Sequence, residues 1–524
     1  MSASSRAVVV IGGGMAGLAC AALLAGDGCR VTLLEKNAEF GGRAGSWEQD
    51  GFRFDSDPSW YPMPEALDHF FRLLGTTAAE QLDLVQLDPG YRVFGEGDQA
   101  PLDMPADVEE SVELFESVER GAGARLAGYL DDGGDAYRLA RDKLLYSTLS
   151  SPGERTSPRL AREAIGSGRR LGSLLLTPLS RLIGRAVKDR RLRRVLASPA
   201  LLLGSAPDRA PAMYSMLNHL DLVDGVLYPI GGLARVVSAI QALAVAQGAD
   251  LRSGMTVRRI LVQNGEAIGV EVADADGALS FIDADVVVSA VDLHHSETVL
   301  LTDDADRTYP QRYWDDRAAG PGAVLLFLGV SGELPELEHH SLFFAAEGGR
   351  AAAGKRTDAA PLYVGKPSGV DPQRAPEGAE TVFVAIPVSA DPSLGHGGVD
   401  GGGDAAIESL ADAAIAQVSA GAGIPDLAER IVLRRTVGPA DFVDRFNSWK
   451  GGAFGAALSL RQSAFQRVGD PSAKVRGLYL AGSAATPGLG LPSCLIGAEL
   501  VLKRLRGDVS PGPLPEPLQP TPGR

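Results

Sequence analysis

The sequence predicts an α/β fold in which a parallel sheet is assembled from separated stretches of chain, with a helical region and a mixed β-sheet region inserted between them. Three observations carry this. An apolar strand, a glycine cluster, a helical run and a second apolar strand follow one another from Ala7 to Leu34. Short apolar strands recur at 285–291 and 478–481, the second leading into a glycine- and proline-rich loop and a helical pattern from about Ser493 to Leu505. Long β-type runs at 323–330 and 381–388 lie between those two strands.

The N-terminal elements come first. From Ala7 to Gly26 no residue is charged, and an apolar run of about 20 residues has the length of a membrane-spanning helix. Gly12, Gly13 and Gly14 break that run, since each would cost about 1 kcal/mol relative to alanine inside a helix. Two elements result: a buried strand at Ala7–Ile11 and a helix at Met15–Ala25. After the Gly26-Asp27-Gly28 turn, Val31–Leu34 forms a parallel neighbour. Gly12-x-Gly14-x-x-Gly17 then falls on the strand-to-helix turn. Gly12 permits the tight turn, Gly14 leaves room for a pyrophosphate at the helix N-terminus, and Gly17 lets helix and sheet pack closely. Glu35 ends the second strand, placed to accept ribose hydroxyls. These features in register define a Rossmann-type dinucleotide site. Lys36 follows directly, and Gly41-Gly42-Arg43 then brings bare backbone and a cation toward the phosphates, which favours FAD over NAD.

Composition excludes several function classes. At 524 residues with 45% hydrophobic and 22% charged side chains, the chain is globular and long enough for two or three domains. A net charge of −16 opposes attraction to nucleic acid. Cys20, Cys29 and Cys494 are too few and too scattered for a disulfide framework or a zinc site, and a reducing compartment is expected. Of the seven histidines, His294-His295 and His339-His340 are adjacent pairs; neighbours on a strand point to opposite faces, so no metal is expected.

Further motifs extend over the chain. Gly51–Asp55, Pro58–Tyr61, Met63–Glu65, His69–Phe71 and Leu87–Val93, then Asp189–Arg194, Tyr228–Gly232, Ala375–Gly378, Gln462–Phe465, Gly477–Gly482 and Pro487–Pro492, together resemble the bacterial-type phytoene desaturases, especially actinobacterial ones, over residues 7–505. The resemblance implies a flavin held by Gly12, Gly14, Gly17, Glu35, Lys36, Gly42, Arg43, Val257, Gly482, Leu491 and Pro492. Two positions depart from the family pattern. Asp55-Ser56-Asp57-Pro58 stands where relatives have Asp-x-Gly-Pro, and Ala485-Thr486-Pro487-Gly488 where many have Thr-His-Pro-Gly.

The remaining elements follow. Strands at 256–262 and 267–272 form a hairpin across Asn264-Gly265, a pair suited to a primed turn. A discontinuous FAD-binding domain is expected from 1–95, 226–300 and 470–508, a helical region from 96–225, a substrate-binding domain from 301–469 and a disordered proline-rich tail from 509–524. Residues 155–194 hold twelve basic side chains against Glu163 and Asp189. They also contain the leucine-rich stretch Leu171–Ile183, too short to span a bilayer but suited to lying in its interface. Each arginine near an anionic leaflet adds about 1 kcal/mol. The region is therefore expected to associate with a membrane.

The function expected from the resemblance is FAD-dependent desaturation of a long apolar isoprenoid, phytoene toward lycopene, by a cytoplasmic protein attached peripherally to the inner face of the cell membrane. The electron acceptor is left open between quinone and oxygen. Asp57 is the acidic candidate for stabilising positive charge as hydride leaves. Alternatives are a 3,4-desaturase, a terminal-methyl oxygenase, and a non-enzymatic prenyl-lipid carrier of related fold. Glu35 and Gly41-Gly42-Arg43 argue against the carrier.

Overall fold

The computed structural model describes residues 6–58, 60–95, 100–148, 174, 177–202, 206–315, 317–344, 361–453, 471–483, 485–488 and 490–519. Ala7–Ile11 is the middle strand of a five-stranded parallel sheet, flanked by Arg30–Leu34 and Val286–Ser289, with Asp250–Arg252 and Leu478–Leu480 at the edges. Its apolar run is explained by burial on both faces. Val8 and Val10 face a helical layer; Val9 and Ile11 face the other side. The helical layer consists of Met15–Gly26, with Gly232–Ala246 and Leu491–Arg506 packed against it. Alanine and glycine keep the first helix thin, so Met15 to Ala25 are all buried. The opposite face is covered by a three-stranded antiparallel sheet, Thr256–Gln263, Glu266–Ala273 and Leu279–Asp283. Its hairpin turns at Asn264 and Gly265, both with positive φ (52° and 73°), as the primed turn requires.

A seven-stranded sheet forms the second layer system, in the order 431–437, 322–331, 379–388, 362–365, 340–343, 91–94 and 102–104. Helix Ala405–Ala422 closes one face through Ile407, Ala411, Ile415 and Val418. The other face carries Phe327, Tyr363 and Phe383 into a core shared with Phe52 and Phe54.

Three expectations are corrected. Tyr91–Phe94, placed by sequence in the FAD-binding domain, and Leu102–Met104, placed in the helical region, both belong to the large sheet; Tyr91–Phe94 pairs in parallel with His340–Phe343. Alternation marks a strand but not its partner, and this partner lies far along the chain. In the basic region, Leu179 and Ile183 of helix Leu179–Ala186 are buried in the shared core; they satisfy the protein interior and cannot also lie in a bilayer. Most of Leu171–Ile183 before Thr177, and the basic residues 155–170, lie outside the described residues. No described helix is long and apolar enough to cross a membrane. Finally, residues 509–519 are a packed strap. Lys503 is fully buried and donates from Nζ to the carbonyls of Tyr146, Ser510 and Gly512 at 2.8, 2.7 and 2.6 Å. Leu514 N–H donates to Glu499 Oε1 at 2.6 Å, and Leu518 N–H donates to Leu73 O at 2.9 Å. Prolines lower the entropy lost on ordering such a segment, which composition alone reads as disorder.

Candidate functional site

The glycine turn does what its spacing requires. Gly12 adopts φ 97°, and its N–H donates to Leu34 O at 2.8 Å. Gly17 packs so closely that a Cβ there would lie 1.9 Å from Gly12 O. At Gly14, the N-cap of the first helix, a Cβ would meet only Gly42 Cα, at 3.9 Å, and no side chain caps the helix. No side chain therefore occupies the helix N-terminus, where the positive end of the helix dipole lies. The loop at Gly41–Arg43 is laced to this turn: Gly41 N–H donates to Gly13 O at 2.8 Å, and a Cβ on Gly42 would come within 3.1 Å of Gly14 Cα.

Glu35 is 6% exposed and already holds three hydrogen bonds, from Gly13 N–H (2.7 Å), Asn37 N–H (2.8 Å) and Asn37 Nδ2 (2.7 Å). A carboxylate has about four acceptor sites, which leaves room for about one further donor rather than a free pair of oxygens. Lys36 points its ammonium to Asp444 O (2.8 Å) and Asn447 Oδ1 (3.3 Å). Arg43 donates from Nη2 to Ser448 Oγ (2.9 Å) and Gly452 O (3.2 Å), while its Nε is buried without a partner among the described residues. Burial lowers the Arg43 pKa against the opposing pull of Asp292 and Asp57. Val257 lies in the small sheet beside Ile11 and Leu34, Gly482 follows the edge strand with φ 101°, and Leu491 and Pro492 open the last helix behind Gly490. All the sequence-named glycines, the acid and the cation thus lie at the carboxyl edge of the parallel sheet, on its strand-following loops or on the small sheet against it.

Sequence reasoning missed three contributors. Asn37 closes the Glu35 carboxylate. The segment 444–452 meets Lys36 and Arg43 from about 400 residues away. Asp292, following strand Val286–Ser289, accepts from His294 and His295 N–H through Oδ1 and from Trp449 N–H through Oδ2. Only Asp292 carried a local signal, an aspartate N-cap directly after an apolar strand. Among the described residues no group of three or more His, Cys, Asp or Glu gathers to hold a metal.

Beside Arg43 opens a pocket. Its lining takes Leu325, Leu342, Tyr363 and Pro387 from the large sheet, together with Arg43 and Asp57. The wall is chiefly apolar. Burial pushes the Asp57 carboxyl up to about 7 against the opposing pull of Arg43. Behind the wall, Tyr363 Oη shares a hydrogen bond with buried His340 Nδ1 at 2.7 Å, and Trp60 stacks on the same imidazole with centroids 4.4 Å apart.

An uncapped helix N-terminus, two bare glycine backbones facing each other, an orphaned guanidinium nitrogen and a neighbouring apolar pocket fit a dinucleotide whose reactive ring meets an apolar substrate: a flavin-dependent oxidoreductase. Residues 15–500 match the family of flavin-containing amine oxidoreductases. The chain is 34% identical to a carotenoid 3,4-desaturase of Haloarcula japonica, covering 97% of this chain and 99% of that one. It is 33% identical to a phytoene dehydrogenase of Streptomyces griseus, with 95% of each chain covered, and 31% identical to a zeta-carotene-forming phytoene desaturase of Myxococcus xanthus, covering 96% and 95%. The chain belongs to the carotenoid desaturase family within the flavin-containing amine oxidoreductases; it is an FAD-dependent enzyme acting on CH–CH bonds. Solved structures share the fold at lower identity. An oxidoreductase of Methanosarcina mazei superposes with a TM-score of 0.63 at 18% identity over 95% of this chain and 100% of that one. A Rab GDI of Plasmodium falciparum gives 0.53 at 13% identity over 98% and 99%.

Proposed function

We propose that this protein desaturates a linear carotenoid, with phytoene as substrate and successive steps toward lycopene. The observation that carries the reading is the chiefly apolar pocket lined in part by Arg43, the residue that follows the Gly41-Gly42 pair packed on the glycine turn. When bound, FAD supplies the hydride acceptor. Gly12, Gly14 and Gly17 shape the pyrophosphate cradle, Glu35 offers its remaining acceptor site to a ribose hydroxyl, and Arg43 and Lys36 supply positive charge. Val257, Gly482, Leu491 and Pro492 complete the surround. The sheet face presented by Leu325, Leu342 and Pro387 excludes water and aligns an extended hydrocarbon, which lowers the barrier by orientation. A lipid-dissolved substrate also favours peripheral attachment at the cytoplasmic face of the membrane and either a quinone or oxygen as electron acceptor.

The likeness to the Haloarcula japonica protein favours a second reading, 3,4-desaturation of an already conjugated carotenoid. Liposomes holding the FAD-loaded protein with phytoene, or separately with lycopene, decide between them. Coloured products arising from phytoene support the first reading. A red shift from lycopene alone supports the second, and no product from either overturns both.

A further inference from the structure

We propose that Asp57 is the base that takes the substrate's proton during desaturation, an inference that rests on the desaturase reading above. Removing two hydrogens from a CH–CH unit breaks two bonds. One hydrogen leaves with its electron pair to the hydride acceptor, which is thereby reduced by two electrons. The other leaves as a proton to an Asp57 carboxylate oxygen, and the electrons of that second C–H bond become the new π bond. The substrate loses two electrons and gains one double bond, so the step balances without a further reactant.

The geometry singles out this residue. Among the described residues lining the pocket, Asp57 is the sole carboxylate; the other titratable groups there are Arg43 and Tyr363. Asp55, two residues earlier, is committed elsewhere: Leu233 N–H donates to its Oδ2 at 3.1 Å, and Arg374 is paired with it. Arg43 stays a cation, and its Nη2 is held by Ser448 and Gly452. Tyr363 is a weak candidate base because burial drives its phenol well above the ordinary value, and His340 behind it is driven well below by burial and by His339. Cys494, which feels both Arg43 and Asp57, is pushed up to about 12 by burial and remains a thiol. Asp57 is left facing hydrocarbon, opposed by Asp55 and attracted by Arg43, with its carboxyl at about 7. A proton acceptor works best when its pKa lies near the working pH.

The test uses the full FAD-loaded chain and its Asp57→Asn and Asp57→Glu variants in liposomes with a carotenoid, following anaerobic flavin bleaching in a single turnover across pH. The wild-type rate is expected to rise with pH to a plateau through a midpoint near 7. Asp57→Asn, with full flavin content, should be on the order of 10²-fold slower and lack that limb, and Asp57→Glu should restore part of both. A second readout needs no turnover: infrared titration should show a protonated carboxyl band lost near pH 7 in the wild type and missing in Asp57→Asn. An Asp57→Asn rate equal to wild type, a persisting pH limb, or an unchanged infrared titration overturns the role of Asp57 alone. A wild-type flavin that neither phytoene nor lycopene bleaches overturns the desaturase reading and this role with it.

Discussion

Arg374 and Asp55 form a buried ion pair, Nη2 to Oδ2 at 3.1 Å, with side chains 4% and 3% exposed. The pair joins three parts of the molecule. Asp55 ends strand Phe52–Asp55 and caps helix Gly232–Ala246, where Gly232 at φ 70° has no Cβ to block the approach. Arg374 sits on the connection between two strands of the large sheet and also donates from Nη1 to Gly231 O at 3.1 Å.

Removing one partner leaves the other charge buried. Arg374→Ala is expected to lower the stability to denaturant by about 3–5 kcal/mol, whereas removing both charges in Asp55→Asn/Arg374→Met should cost less than Arg374→Ala alone. Chemical denaturation of both variants measures the difference; equal losses would falsify the pairing.

Gly14→Val and Gly17→Ala separate cofactor binding from folding. At Gly14 a Cβ would meet nothing nearer than Gly42 Cα at 3.9 Å, so the flavin-free protein should melt normally yet purify colourless. At Gly17 the added methyl meets backbone at 1.9 Å, so stability itself should fall. Glu35→Ala lies between the two, since it strips three protein donors of their acceptor, at roughly 1–3 kcal/mol for each one left unsatisfied. Flavin absorbance per chain and the melting temperature of each apo-protein report the two effects.

The strap at 509–519 carries a pH dependence. His69 lies between two carboxylates, Nε2 at 2.9 Å from Glu499 Oε2 and Nδ1 against Glu516 Oε1, with the Tyr146 ring edge-on to it. Burial works against the imidazolium, but the hydrogen bonds and charges of Glu499 and Glu516 outweigh it and raise the pKa. A raised folded-state value means that the stabilisation is complete below the unfolded value of about 6.5 and is lost as pH rises through the folded one. Cleavage in the strap by added protease should therefore accelerate on going from about pH 6 to about pH 9, and His69→Gln should flatten that dependence.

Membrane attachment is tested on the exposed face of helix Leu179–Ala186, since Leu179, Ile183 and Ala186 face inward. Arg181→Gln/Arg185→Gln should weaken sedimentation with anionic liposomes and leave neutral ones unaffected, and raised salt should mimic the change. Equal binding of the variant would assign those arginines to solubility alone.

Local chemistry made much of the cofactor side legible. The glycine spacing, the continuous apolar strand and Asn264-Gly265 each force one backbone geometry, and the structure follows them closely. What escaped the sequence was pairing over distance. Nothing in Tyr91–Phe94 names His340–Phe343 as its neighbour, nothing in Arg43 names Ser448, and the prolines after Asp508 look unstructured until Lys503 and Glu499 are seen to need partners. The Asp57 position was visible as a departure from a family pattern, but its surroundings required the large sheet to be in place.

The order of the parallel sheet has a consequence for biosynthesis. Ala7–Ile11 leaves the ribosome early with only Arg30–Leu34 to pair with, while its other neighbour, Val286–Ser289, and that strand's own partner, Leu478–Leu480, emerge far later. At about 5–20 residues per second, roughly 25–95 s separate the first strand from the last. Throughout that interval an apolar strand edge stands open to wrong partners. Slower translation or a supply of chaperones during expression should therefore raise the yield of flavin-binding protein more than any change to the purified chain's surroundings.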